Sequence, residues 1–337
     1  MESNSANTQK ATVIKQENTN CYVAVHIGAG YHSKQNAEQY KKVIKAACNA
    51  AMGILKQGQS ANAGVESAIK VLEDAPITNA GIGSNLNRRG QVECDASIMC
   101  TDPNAFGAVG AVTLICNPIQ AANAIMGVSS KGPDSRAGLI PPMFLVGHGA
   151  ESWAEKHGIP TNTNRRHMIT EDSLEKYSEY MERAFPAHNQ PAGTSIMQIN
   201  DDDDLMLDTV GAVCIDNRGV ISAGVSSGGI ALKYPGRIGE AAMFGCGSWA
   251  ELQLASDNNL ARVSGCSVSG TGEQIMRSML AQDCAQRSED IFTALHECFE
   301  RFCTNPSLAM YPQKSAGLIL IRQDLDKGST GKQKKTW

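Results

Sequence analysis

Thr209 is the residue whose surroundings most favour chemistry. It follows Asp208 at the end of a polar stretch that includes Asp201 to Asp204, and an apolar run from Val210 to Ile215 begins directly after it. The pattern predicts a hydroxyl at the mouth of a buried strand, fed by a flexible segment. An internal threonine hydroxyl is a poor nucleophile at neutral pH and depends on a neighbouring base. Cutting the Asp208–Thr209 bond would supply that base from the same residue, because a free α-amino group titrates at about 7.7–8.0 and is partly neutral near pH 7. The amine lies within reach of its own hydroxyl, directly or through one water. The threonine methyl stiffens χ1 and helps to hold the oxygen in place. The same hydroxyl can first attack the Asp208 carbonyl, giving an ester by N-to-O acyl shift that water opens. Taken alone, Asp-Thr is more often a plain loop-to-strand junction, and the downstream sequence has to change that balance.

It does so through several turns in a fixed order. Val213 to Asp216 and Val220 to Val225 are predicted strands joined through Asn217-Arg218-Gly219, a composition suited to a tight turn. The second strand ends in Ser226-Ser227-Gly228-Gly229, so a hairpin returns a serine hydroxyl to the side of Thr209. The glycines there allow backbone to approach a substrate closely. Pro235-Gly236-Arg237-Ile238-Gly239 frames a guanidinium in flexible residues, and arginine can grip a carboxylate with two parallel hydrogen bonds. Ser267-Val268-Ser269-Gly270-Thr271-Gly272-Glu273 ends a strand and opens a helix, with N–H groups able to face a developing oxyanion. Each of these is individually more often a turn or cap than a catalytic element.

Together they resemble the type-2 asparaginase family of N-terminal-nucleophile hydrolases, and most closely its protease branch, the threonine aspartases or taspases. The resemblance runs from about Tyr22 to about Arg322. It includes His26-Ile27-Gly28-Ala29-Gly30-Tyr31-His32-Ser33, the run from Thr78 to Asn87, Glu93-Cys94-Asp95-Ala96-Ser97-Ile98-Met99, Asp208 to Ala212, Ser226 to Gly229, Gly236 to Gly239, and Gly245-Cys246-Gly247-Ser248-Trp249-Ala250-Glu251. It implies a four-layer αββα sandwich, two stacked sheets between helices, matured into an αβ pair that is often doubled. Position by position, it implies Thr209 as nucleophile and Asp208 as the last residue of the cleaved first subunit. Ser227 matches the hydroxyl that supports the nucleophile, and Asn79 an amide near the scissile carbonyl. Ser269 and Gly270 match the oxyanion-stabilising pair, with serine where the asparaginases have threonine. Arg237 matches the carboxylate-binding arginine, and Gly272 a backbone contact to substrate.

The branch is argued from chemistry. Asparaginases that act on free amino acids follow Arg-Xaa-Gly with an aspartate that pairs with the substrate α-ammonium. This chain has Glu240 there, one methylene longer. A protease meets no free ammonium at that place, because its substrate chain continues. Asp208 before the nucleophile, Tyr31-His32-Ser33 and the Gly245 to Glu251 block point the same way. The expected activity is therefore a self-cleaving threonine endopeptidase that cuts after aspartate, its protein substrates being nuclear transcription regulators. An L-asparaginase or isoaspartyl peptidase, and a non-catalytic scaffold keeping the fold, are the alternatives. Two departures from the taspase pattern stand out. The loop before the nucleophile carries only Arg165-Arg166 in place of basic import clusters, and the sequence ends at Trp337 where further sheet strands follow in the family, so an exposed sheet edge is expected.

Composition fits an intracellular enzyme of the nucleus or cytoplasm. The 337 residues carry a formal charge of −4 and a pI near 6.0, which argues against a nucleic-acid surface as the main function. The eleven cysteines lack CxxC or His/Cys zinc spacing. Cys48, Cys214 and Cys284 fall in apolar runs and are expected to be buried reduced thiols. The seven histidines form no metal pattern, so neither metal nor cofactor is expected; His26, at a strand end, should position backbone without acting as base. No signal peptide or membrane anchor is expected from Met1 to Asn20.

The elements that must position these residues follow from periodicity. A disordered tail is expected over 1–20, then a first subunit over 21–208 and a second over 209–337. A strand is predicted at Val23 to Ile27, an amphipathic helix at Ala37 to Lys56 and a second helix at Val65 to Leu72. Strands are predicted at Val92 to Met99 and Ala108 to Ile115, with a helix after Pro118 and further helices near Glu151 to His157 and Ser173 to Arg183. A flexible polar loop covers 184–207. Beyond the nucleophile hairpin, helices are predicted at Glu273 to Cys284 and Ser288 to Cys303, and a strand at Ala316 to Arg322.

Overall fold

A computed structural model describes residues 20–29, 35–134, 138–185, 209–254, 260–287, 290–326 and 335–336. The tail 1–19, Tyr31 to Ser33, most of the loop 184–207, the Asp201 to Asp204 run and Asp208 lie outside the described residues.

The first half builds β1 (Tyr22–His26), α1 (Ala37–Lys56), α2 (Ala61–Glu73), β2 (Cys94–Thr101), β3 (Asn104–Val112), α3 (Pro118–Ser129), β4 (Phe144–Val146), α4 (Gly147–Lys156) and α5 (Glu171–Ala184). The second half builds β5 (Val210–Ile215), β6 (Ile221–Ser227), β7 (Ser248–Leu254), β8 (Leu260–Gly270), α6 (Gly272–Ser278), α7 (Leu280–Gln286), α8 (Ile291–Thr304), β9 (Ala316–Asp326) and β10 (Lys335–Thr336). Two sheets result, one ordered β1-β5-β6-β2-β3-β4 and the other β10-β9-β8-β7. Helices α1 to α4 lie against the first sheet, α6 and α7 against the second with α8 on α7, and strands β5 and β6 meet β8 face to face. This is the four-layer αββα sandwich.

Strand alternation explains the layering. Along β5, Val210, Ala212 and Cys214 belong to the core under the helices, while Val213 and Ile215 belong to the core between the sheets. A strand covered on both faces reads as a continuous apolar run, which is why the sequence after Thr209 is apolar without a break. Helix α1 places Tyr40, Ala47, Ala51 and Leu55 on its buried side, spaced by seven, four and four residues.

Several expectations need correction. The helix expected over Glu273 to Cys284 is two helices, broken at Met279, which adopts a left-handed conformation at φ 47°. The break is held by tertiary contacts: Ala281 N–H donates to the Cys246 carbonyl and Gln282 N–H to the Gly245 carbonyl, so a loop replaces the helical acceptors. Cys284 is not a reduced thiol; it forms a disulfide with Cys298 that joins α7 to α8. Cys214 is buried and free, and Cys48 is free but only partly buried. The final long strand extends to Asp326, and β10 pairs with it antiparallel at Arg322 and Gln323, so that stretch of β9 is not an open edge. Strands β4 and β7 and most of β8 were not expected. Among the described residues, no helix is long and apolar enough to cross a membrane.

Candidate active site

The β5–β6 hairpin sets the geometry around Thr209. Val210 pairs with Ser226, which brings the end of β6 beside the residue that precedes β5. Thr209 Oγ1 lies 3.2 Å from Ser227 Oγ and 2.6 Å from Glu240 Oε1. Thr209 is 2 % exposed, Ser227 4 % and Glu240 3 %, so the hydroxyl is enclosed. A hydroxyl has one proton. The shorter, charge-assisted contact to Glu240 takes it, and Ser227 Oγ stands beside it as a second, more distant acceptor. Ser227 Oγ is itself fixed by the Gly229 N–H at 3.0 Å.

Glu240 opens a short 3-10 turn that follows the Arg237 segment. Asp95 holds that segment in place. It sits at a bulge in the β2–β3 pairing, where its Oδ1 accepts the Ala111 N–H and its Oδ2 the Gly239 N–H, both at 2.8 Å. Burial pushes the Asp95 pKa up, against the opposing pull of Lys233, the two N–H donors and Arg237. Burial likewise raises Glu240, opposed by the Thr209 hydrogen bond and the Arg237 charge.

Arg237 donates from Nε and Nη2 to the two oxygens of Glu273 at 2.8 and 2.7 Å. Burial alone would raise the Glu273 carboxyl, but the Arg237 pair outweighs it and holds the group below its ordinary range. The Nη1 edge points elsewhere: a Cβ placed at Gly239 would stand 2.8 Å from it, and one at Gly229 3.2 Å. Gly272 is closed in by the same groups, since a Cβ there would lie 2.6 Å from Glu240 Oε2 and 2.7 Å from Arg237 Nη2. Any side chain at Gly272 would displace one of them.

Asn79 is committed to building the site wall. Its Nδ2 donates to the Gly229 carbonyl at 2.9 Å, its Oδ1 accepts the Asn85 N–H at 2.9 Å, and its carbonyl accepts the Gly228 N–H at 2.8 Å. Ser269 and Gly270 occupy the end of β8, three and two positions before Gly272, opposite Gly317 and Ala316 of β9. His26 hydrogen-bonds Ser267 Oγ through Nε2 at 2.8 Å. Burial drops its pKa to about 4, which leaves a neutral imidazole that orders the start of β5. Sequence reasoning gave no role to Asp95, Glu273 or Lys233. Lys233 is buried and donates to the Glu93 carbonyl at 2.6 Å, while the Glu93 carboxylate receives the Gly236 N–H. The Glu93–Asp95 run was the available signal, because acids inside an apolar strand need partners.

A family model described as Asparaginase matches residues 19–336. The chain belongs to the asparaginase family. It is also similar to isoaspartyl peptidase/L-asparaginase of Bos taurus, 37% identical over 264 residues that cover 78% of this chain and 75% of that protein. The Homo sapiens protein of the same name is 35% identical over 264 residues, covering 78% and 75%. Arabidopsis thaliana probable isoaspartyl peptidase/L-asparaginase 2 is 32% identical over 276 residues, covering 77% and 78%. Within this asparaginase-family fold, an enclosed threonine hydroxyl faces an acid and a serine at the start of a central strand, beside an arginine whose Nη1 makes no hydrogen bond among the described residues. That set can deliver a nucleophile to an acyl carbon and hold a carboxylate next to it.

Proposed function

We propose that the chain is a self-cleaving threonine endopeptidase that hydrolyses protein substrates after aspartate. The observation that carries the reading is Thr209 itself, its hydroxyl enclosed between Ser227 and Glu240 at the head of β5. Cutting before Thr209 frees an amine on the nucleophile. In the mature enzyme that amine takes the hydroxyl proton while Oγ1 attacks the substrate carbonyl. Ser269 and Gly270 stabilise the oxyanion, as the family resemblance implies. Arg237 receives the substrate aspartate on its Nη1 edge, the one that does not bond Glu273. The acyl-enzyme ester is then opened by water.

The side chain at 240 supports a substrate that is a polypeptide. In place of the aspartate that meets a free α-ammonium in the amino-acid-cleaving branch, Glu240 extends one methylene further and engages the nucleophile. Its Oε1 is occupied within the protein. Nuclear transcription regulators as the substrate class, and αβ pairs assembled into a homo-oligomer, rest on the resemblance to taspases. The names of the curated relatives favour a second reading, hydrolysis of L-asparagine or isoaspartyl dipeptides.

Intact mass measurement and N-terminal sequencing of purified protein test the shared premise. A new terminus at Thr209 is expected, and its loss in Thr209→Ala together with all hydrolysis. A wild-type chain that stays whole after long incubation in the folded state ends both readings. Mature enzyme is then offered peptides with an internal aspartate and, separately, L-asparagine. Cleavage of the peptides is expected; ammonia release from asparagine with intact peptides would replace the first reading by the second.

A further inference from the structure

In an uncut chain the nitrogen of Thr209 is an amide and cannot accept a proton. The base invoked for the mature enzyme therefore does not exist when self-cleavage has to occur, and another group must take the hydroxyl proton. Among the described residues, two side chains hydrogen-bond Thr209 Oγ1, Ser227 at 3.2 Å and Glu240 at 2.6 Å. A serine hydroxyl is no base at neutral pH. The His26 imidazole is bonded to Ser267 and makes no hydrogen bond to this hydroxyl. We propose that Glu240 is the general base of self-cleavage, accepting the Thr209 hydroxyl proton while Thr209 is still an internal residue. The proposal rests on the self-cleaving reading above and adds the group that starts it.

The acyl shift balances without any further reagent, and the opening of its ester consumes one water. Thr209 Oγ1 bonds to the carbonyl carbon of the preceding residue as its proton passes to Glu240. The tetrahedral adduct collapses by breaking the bond from that carbon to the Thr209 nitrogen, which takes back the proton Glu240 carries. The products are an ester and a free amine. Water then adds to the ester, the carbon–Oγ1 bond breaks, and a carboxylic acid and the threonine hydroxyl are left.

The surroundings suit the role. Glu240 is buried, and its charged neighbours are Arg237, beside its Oε2 at Gly272, and Asp95, with the Cys246 thiol on the following turn and Glu273 beyond the guanidinium. Burial makes the carboxylate a stronger base than an exposed one, while Arg237 keeps its charged form accessible.

The test follows the cutting of freshly translated chain with time, in wild type, Glu240→Gln and Glu240→Asp, with folding checked by thermal melting. Glutamine keeps the shape and loses the basicity, so cutting should slow by at least about 100-fold, in the range that general-base catalysis supplies. Aspartate should recover part of the rate. The wild-type rate should rise with pH as Glu240 loses its proton, and this profile needs no variant, so it decides the matter should Glu240→Gln fail to fold. A folded Glu240→Gln chain that cuts at the wild-type rate, or a flat wild-type profile, overturns the proposal and leaves the self-cleaving reading standing. A wild-type chain that never cuts removes that reading first.

Discussion

Arg237 donates from Nε and Nη2 to Glu273, which leaves Nη1 beside Gly229 and Gly239. Gly229 is also the residue whose N–H fixes Ser227, so that edge borders the wall that holds Thr209. Arg237→Ala should lower kcat/KM for peptides cut after aspartate by about 10- to 100-fold, the equivalent of one hydrogen bond to a charged group, about 1.5–3 kcal/mol. Self-cutting should suffer less, because it needs no bound substrate. Equal turnover by the variant would remove the carboxylate-binding role. At this scale the sequence was informative where chemistry and chain order coincide. Thr209 and Ser227 could be paired from a hairpin of ordinary length. Glu273 and Asp95 could not be given roles, because their partners lie 36 and 144 positions away and no local pattern announces such a pairing.

Strands β5 and β8 press together where Gly211 faces Ser267. A Cβ at Gly211 would overlap Ser267 Oγ and His26 Nε2. Gly211→Ala should therefore destabilise the fold by about 1–3 kcal/mol, as overpacking does, with a lower Tm and slower cutting. An unchanged Tm would mean that the two sheets can part locally at no cost. The same close approach explains why β8 was hard to read. Its Ser264, Ser267, Ser269, Gly265 and Gly270 look like loop composition, yet the serines are buried. Gly265 has Ile221 Cδ1 and Val213 Cγ1 at 2.8 Å from where its Cβ would stand. Hydrophobic periodicity cannot register a strand chosen for thinness. The Met279 break escaped for a related reason, since the acceptors that stabilise it come from Gly245 and Cys246 and not from any helix-ending residue nearby.

Across the whole molecule, the layered architecture followed from motif order more than from periodicity, which is compatible with several α/β arrangements. The layers also bury an acid. Glu73 closes α2, and its Oε1 receives the Ile119 N–H of α3 at 3.0 Å. Burial pushes its pKa up to about 8. A group whose folded pKa is raised stabilises the fold below its unfolded pKa, and that contribution is lost as pH rises through the folded value. Wild-type Tm should accordingly fall as pH climbs from the ordinary carboxylate range through about 8, and Glu73→Gln should remove that part of the slope. Parallel pH profiles for the two proteins would show that Glu73 does not titrate in this window. Strand order carries a last consequence. The first sheet runs β1-β5-β6-β2, with β5 and β6 from after Thr209 wedged between β1 and β2 from before it. Scission there would sever one covalent link and leave both flanking ladders intact, so the two polypeptides would stay laced into a single body.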